Sequence, residues 1–233
     1  MASLPFSAVK TRVVVATRET QEGFFSQTAT GKSLARMAIK PIEIRIFPEN
    51  RRGLPDVYNQ ALRESADDPA ILVFLHDDVH LLDYFAFERI SEGLKCFDLL
   101  GVAGNKRRLP RQPSWAFIDT NCTWDATEHL SGIVAHGKHF PPDNISIYGP
   151  SRQAVKLLDG VILAAKSNTL LQNHIFFDER FTFHFYDLDI CRQAEINNLI
   201  CGTWDIALMH ESGGSFQSPD WALGLNEYYK KWE

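Results

Sequence analysis

The sequence predicts an α/β fold in which a mostly parallel central sheet is flanked by helices and followed by an irregular C-terminal half. Three observations predict it. In the first half, apolar strand-like runs alternate with segments of helical period, the pattern of βα units. One run, Ala70 to Leu75, is apolar on both faces, as a central strand between layers of helices must be. From Gly104 to Pro150 this regularity gives way to prolines, glycines, tryptophans and histidines, which predicts long loops or short antiparallel strands.

Taken in order, Val13 to Ala16 is a short β-branched strand, and Phe24, Phe25, Leu34, Met37 and Ala38 have spacings a helix can use. Ile42 to Phe47 alternates apolar and polar residues, a second strand, and Pro48 to Gly53 is a turn-rich loop. Pro55 suits the first turn of a helix, whose apolar stripe is Leu54, Val57, Tyr58, Ala61 and Leu62. After the central strand, Leu81 to Phe97 has helical spacing, and Leu99 to Ala103 is a fourth strand. Regularity returns with a strand around Val161 to Ala164, then a helix from about Leu188 to Leu199 with Asp187 as N-cap, then a strand from Trp204 to Met209. With no repeat, low-complexity tract or linker, residues 1–233 read as one domain, with a half at 11–104 and a half at 105–233.

The 233 residues are 45% hydrophobic and 23% charged, which excludes disorder and fibrous repeats. Lysine and arginine number 24 against 29 acids, a net charge of −5, and no basic track suits a phosphate backbone, so nucleic acid is not the expected partner. The longest apolar runs are about a third of the ~20 residues a membrane helix needs, so no transmembrane segment is expected. Met1 to Lys10 lacks the features of a secretory signal, making the cytoplasm the default expectation. Cys96, Cys122, Cys191 and Cys201 form no CxxC pair and read as reduced thiols buried as small hydrophobes.

The most informative stretch is His76-Asp77-Asp78-Val79-His80, because two acids directly follow the apolar strand. Ligands of open α/β sheets sit beyond the carboxyl ends of strands, and Mg²⁺ or Mn²⁺ joins one or two carboxylates to substrate phosphates. The plainer alternative is that both acids cap a following helix. The stretch imitates a HExxH zinc motif, but an apolar strand leading straight into it is the wrong context. Thr30-Gly31-Lys32-Ser33 ends like a P-loop, yet Ser26 stands where the first glycine is needed, so a solvated helix face is the better reading.

Thr17-Arg18-Glu19, Asn50 to Ala61, His76-Asp77-Asp78, Asp159-Gly160, Tyr186 to Arg192 and His210 follow one another in an order that resembles the nucleotide-sugar glycosyltransferases of the GT-A fold, family 2 type. Thr17-Arg18-Glu19 after the first strand looks like the family's base-and-ribose loop. Asn50 to Ala61, with Asn50, Gly53 and Asn59, resembles the N-x-G-h-x-x-x-x-N segment on the donor side. His76-Asp77-Asp78 looks like the DxD motif with His76 in place of the first Asp. Asp159-Gly160 resembles the start of the acceptor-side strand, and Tyr186-Asp187-Leu188-Asp189 to Arg192 looks like E-D-x-D-h-x-x-R with Tyr186 replacing Glu. His210 resembles the late metal-binding histidine. The resemblance spans about Val13 to Ser215 and implies a GT-A-like fold and an inverting, metal-dependent transfer from a nucleoside diphosphate sugar. It implies that Asp187 is the catalytic base, that Thr17, Arg18, Glu19, Asn50, Gly53, Asn59 and Asp77 bind the donor, and that Asp78, His210 and His76 hold Mn²⁺ or Mg²⁺. Asp159, Gly160 and Asp189 fall on the acceptor side, where the hydroxyl acceptor is a glycan, a lipid-linked sugar or a small molecule.

Two rivals stay open: a non-catalytic nucleotide-sugar-binding protein on the same fold, and a nucleotidyltransferase, which also needs paired acids and a metal. Asp187 as a plain N-cap, an exposed Asp189–Arg192 pair at i, i+3 and a solvated His210 are the corresponding structural alternatives.

Overall fold

The computed structural model describes residues 10–233, so the expectation on Met1 to Lys10 falls almost entirely outside it. In chain order the elements are β1 (Thr11–Ala16), α1 (Gln21–Gln27), α2 (Ala29–Arg36), β2 (Ile42–Phe47), α3 (Leu54–Glu64), β3 (Ile71–Leu75), β4 (Val79–Leu81), α4 (Ala86–Gly93), β5 (Leu99–Gly101) and β6 (Ala103–Asn105). After a short 3-10 turn at Thr127–His129 come β7 (Leu130–His136), β8 (Asn144–Gly149), β9 (Ala154–Val155), β10 (Leu157–Leu158), β11 (Ile162–Lys166), α5 (Ser167–Gln172), α6 (Tyr186–Ile196), β12 (Cys201–Thr203), β13 (Leu208–His210) and α7 (Pro219–Trp232).

The architecture is mixed α/β with two sheets. The first has the order β2-β1-β3-β11-β5-β12-β9, and the second β10-β6-β7-β13-β4 with β8 on β7. Strands β2, β1 and β3 are parallel, and β3 is fully buried between β1 and β11, as its unbroken apolar run requires. Strand β11 then enters antiparallel beside both β3 and β5. Its start, at Asp159 to Val161, is thereby delivered to the carboxyl ends of the parallel strands. One apolar core runs from Val13 through Phe74, Phe177 and Ile190 to Tyr228.

Several boundaries differ from the sequence reading for local reasons. The first helical region is broken at Thr28, which caps α2 by accepting from Gly31 N–H while its own hydroxyl donates to Phe24 O of α1. Gly31 is required there, because a Cβ would stand 2.0 Å from the Phe24 oxygen. The Leu81 to Phe97 segment begins as strand β4 and becomes helical only at Ala86. Helix α6 starts at Tyr186, so Asp187 lies inside its first turn and Phe185 takes the cap position. The terminal helix α7 carries its signal in the sequence, with Ser218 as N-cap, Pro219 at the first position, and apolar Trp221, Leu225, Tyr228 and Trp232 on one face. Cys191 and Cys201 are buried, whereas Cys122 is half-buried and Cys96 exposed, and all four are free. Among the described residues no helix is long and apolar enough to cross a membrane.

Candidate functional site

The site assembles where β1, β2 and β3 end. On leaving β1 and β2, the two loops are zipped together: Asn50 N–H donates to Thr17 O (2.8 Å), Glu49 N–H to Glu19 O (2.8 Å), and the Arg18 guanidinium to Asn50 O (2.5 Å). The Asn50 side chain closes its own turn onto Arg52. Gly53 caps α3, whose Leu54 N–H donates to Thr182 O. Asp77 stands beside this cluster; burial raises its pKa and the neighbouring Thr17 hydroxyl partly offsets the rise. Asn59 does not join them. Its amide is buried, donating to Phe177 O (2.8 Å) and accepting from Phe177 N–H (2.9 Å), so it clamps α3 to the segment before α6 and has no face left for a donor.

The turn His76 to Asp78 is held from behind by Thr30. That buried hydroxyl lies 2.6 Å from His76 O and 2.9 Å from Val79 O and accepts from Val79 N–H, while Thr30 N–H donates to Asp77 O. Ser33 likewise accepts from Leu81 N–H. The Thr30-Gly31-Lys32-Ser33 run is therefore no phosphate cradle, nor simply a solvated face: only Lys32 is exposed, Thr30 and Ser33 support the acidic turn, and Gly31 packs against α1.

At the front of the turn, His76, Asp78 and His210 place one ligand atom each within 4.8 Å of one another. His210 Nε2 is 3.2 Å from Asp78 Oδ1, and His76 Nδ1 is 4.0 Å from the same oxygen. His210 arrives because β13 pairs antiparallel with β4, which sets it opposite Val79. It is half-buried, its Nε2 also 3.1 Å from Ser212 Oγ. Burial alone would raise the pKa of Asp78 and lower that of His210; their mutual attraction outweighs it, bringing Asp78 down to about 2 and His210 up. Burial holds His76 below the usual histidine value, against the pull of Asp78. Asp78 Oδ1 is buried without a properly aligned hydrogen bond, an expensive state for a carboxylate. A divalent cation would satisfy it, and two imidazoles with one carboxylate form a chemically suitable donor set.

Similarity to known proteins is confined to distant likeness in chain course. The crystal structure of A197 from STIV aligns with 87% of this chain and 82% of its own at 13% identity and a TM-score of 0.44. That of S. aureus TarS 1–349 aligns with 87% of this chain and 60% of its own, again at 13% identity, with a TM-score of 0.47. No protein-family model matches the chain, and no curated protein matches it. Function must therefore be argued from the site's own chemistry.

Asp187 is joined to the His-Asp-His cluster through Gly160 and Tyr186. Its Oδ2 accepts from Gly160 N–H (3.0 Å) and its Oδ1 from Leu188 N–H (2.9 Å), and burial together with the negative Asp159 pushes its pKa up to about 7. Asp159 itself accepts from Val161 N–H (2.8 Å) and from the Trp115 indole (2.5 Å). No sequence motif marks Trp115; its place in the irregular middle segment is the signal the sequence carries for it. Tyr186 stands in the sequence as a departure from a family acid, and in the structure its buried hydroxyl sits between His76 and Gly160. Asp189 is not on an acceptor face. It is 0% exposed and clasped by Lys231 Nζ (2.6 Å), Trp232 Nε1 (2.8 Å) and Gln193 Nε2 (2.7 Å), while Arg192 pairs with Glu233 rather than with Asp189.

Proposed function

We propose that the chain is an inverting glycosyltransferase that moves a sugar from a nucleoside diphosphate sugar to a hydroxyl acceptor, with a divalent cation held by Asp78, His210 and His76. The observation that carries this reading is the junction at Gly160. Its carbonyl accepts from Tyr186, which touches His76, and its N–H donates to Asp187, so a metal-type donor set and a raised carboxylate are fixed on one residue. The GT-A-like order of the motifs supports the same reading, with 11–104 as the donor half and 105–233 as the acceptor half.

A cation in the His-Asp-His cluster would stabilise the charge that grows on a departing diphosphate. Thr17, Arg18, Glu19, Asn50, Gly53 and Asp77 form the rim on which the nucleoside end of the donor would lie. Each Asp187 oxygen accepts one backbone N–H and retains a lone pair, so the carboxylate can take the proton of an acceptor hydroxyl as it attacks. A base near pKa 7 is matched to that task at neutral pH. Asp159 raises Asp187 and is itself engaged by Trp115 and Val161, leaving one carboxylate to act directly and hence a single displacement with inversion.

The test is to incubate the chain with a panel of nucleotide sugars, Mn²⁺ and hydroxyl acceptors and to measure the products. Free nucleoside diphosphate, lost in Asp187→Asn, is the expected result. Pyrophosphate release would instead indicate a nucleotidyltransferase. Saturable donor binding with no turnover across the acceptor panel would indicate a nucleotide-sugar-binding protein.

A further inference from the structure

Tyr186 is fully buried at the start of α6, and its hydroxyl has two hydrogen-bond partners, Gly160 O and His76 Nε2, each at 2.8 Å. A phenol has one proton to give, and a carbonyl oxygen can only accept. The hydroxyl proton therefore points to Gly160 O, and the contact with His76 requires the imidazole to bring its own proton on Nε2. In a neutral ring this leaves Nδ1 bare, and Nδ1 is the atom that faces Asp78 Oδ1. The fit is enforced by packing. A Cβ on residue 160 would stand 2.4 Å from the Tyr186 hydroxyl, and the Tyr186 ring is boxed by Tyr58 and Phe177 at centroid separations of 5.9 and 6.1 Å.

We propose that Tyr186 is a positioning residue that holds His76 as its Nε2–H tautomer, presenting bare Nδ1 beside Asp78 and His210, so that this chain takes a nitrogen-preferring divalent cation such as Co²⁺ or Zn²⁺ more tightly than Mg²⁺. The inference rests on the metal reading above and refines it. A carboxylate-only site suits Mg²⁺, which wants oxygen ligands, whereas two imidazoles favour later first-row metals. The histidine and tyrosine act as a pair, since neither does this work without the other. A ligating histidine whose far nitrogen is pinned by an outer partner binds metal about 10- to 100-fold better than one left unpinned.

The experiment uses the whole chain. Nitrogen-15 NMR of the metal-free protein reports which His76 nitrogen carries the proton, and calorimetric titration with Co²⁺ and with Mg²⁺, each alone, reports affinity. The expected results are a protonated Nε2 with a bare Nδ1, Co²⁺ bound at least about 100-fold more tightly than Mg²⁺, and a Co²⁺ absorption spectrum showing imidazole ligation. Tyr186→Phe keeps the ring and removes the hydroxyl; it should give mixed His76 tautomers and weaken Co²⁺ by about 10- to 100-fold, with a melting curve confirming that it is folded. A proton on Nδ1 in the parent chain would overturn the proposal without any mutant. Mg²⁺ as tight as Co²⁺, or Co²⁺ affinity within about twofold of the parent in folded Tyr186→Phe, would also overturn it. Failure of the parent to bind either cation would overturn the underlying metal reading as well, and the metal-free spectrum tells that failure apart from a wrong tautomer.

Discussion

At the residue scale the reading turns on Asp187. With a pKa raised to about 7, this carboxylate is mostly protonated at pH 6 and mostly ionised at pH 8. A base must be ionised to act, so turnover should rise about tenfold per pH unit below 7 and level off above it. A kcat/KM profile across pH 5 to 9 checks this; a profile flat through 7 would remove Asp187 from the proton transfer. The same shift has an opposite effect on stability. The folded state keeps a proton on Asp187 that the unfolded chain has already lost, so this group's contribution to stability is full below pH 4 and disappears as pH rises to about 7. Asp187→Asn should lower turnover by about 10²- to 10⁴-fold. It will not behave as the loss of an N-cap, because Asp187 lies within the first turn and both its oxygens accept backbone N–H groups. For the donor set, Asp78→Asn should weaken Mn²⁺-dependent nucleotide binding more than Asp77→Asn, since only Asp78 presents the orphaned oxygen to the two histidines. Equal donor affinity in Mn²⁺ and in excess chelator would count against the metal altogether.

At the element scale, the acidic turn is shaped by α2, and two neighbouring residues of that helix separate support from surface. Thr30→Val keeps the volume but orphans Val79 N–H and the carbonyls of His76 and Val79. It should cost about 1–3 kcal/mol, and metal affinity should fall as well, because Asp78 follows His76 in the same turn. Lys32→Ala should change stability by less than about 0.5 kcal/mol and nucleotide affinity by less than about twofold, its ammonium being exposed and bonded only to Gln27 O. Melting curves and Mn²⁺ titrations on both variants check the contrast. Strands were the more legible elements. The unbroken apolar run of β3 announced its central place, and the alternation of Ile42, Ile44 and Ile46 announced β2. The helix break at Thr28 was not legible, because it depends on a hydroxyl choosing a carbonyl one turn back. Nor was the buried role of Asn59, whose amide is matched by a backbone 118 residues away. In the site, acids and histidines were visible as chemical types at strand ends, but Tyr186 could not be read as their partner. Its role depends on β11 running antiparallel and bringing Gly160 under its hydroxyl.

At the scale of the whole molecule, the terminal helix α7 braces the helix that carries the base. Phe185, immediately before Tyr186 and Asp187, holds a left-handed backbone at φ +69°, which costs a non-glycine residue of the order of 1 kcal/mol. It is kept there by stacking on Tyr228 of α7, at 5.5 Å between centroids. One turn on, Asp189 is wholly buried and answered by Lys231 and Trp232 from the same helix. A buried charge with its partner removed typically costs about 3–5 kcal/mol, far more than an exposed pair. Lys231→Met should therefore destabilise the chain by that order, even though Asp189 retains Gln193 and Trp232 as donors. Adding Asp189→Asn should recover part of the loss, because the stranded charge is then gone; the two substitutions are coupled and should not add. Turnover per folded molecule should also fall in Lys231→Met, since Asp189 and Asp187 share the first turn of α6 and a loosened turn moves the carboxylate relative to Gly160. The measurement is a double-mutant cycle in denaturant with the rate of donor turnover read on the same four proteins. If Lys231→Met costs less than about 1 kcal/mol, the clasp is an ordinary surface pair and α7 does not brace the site.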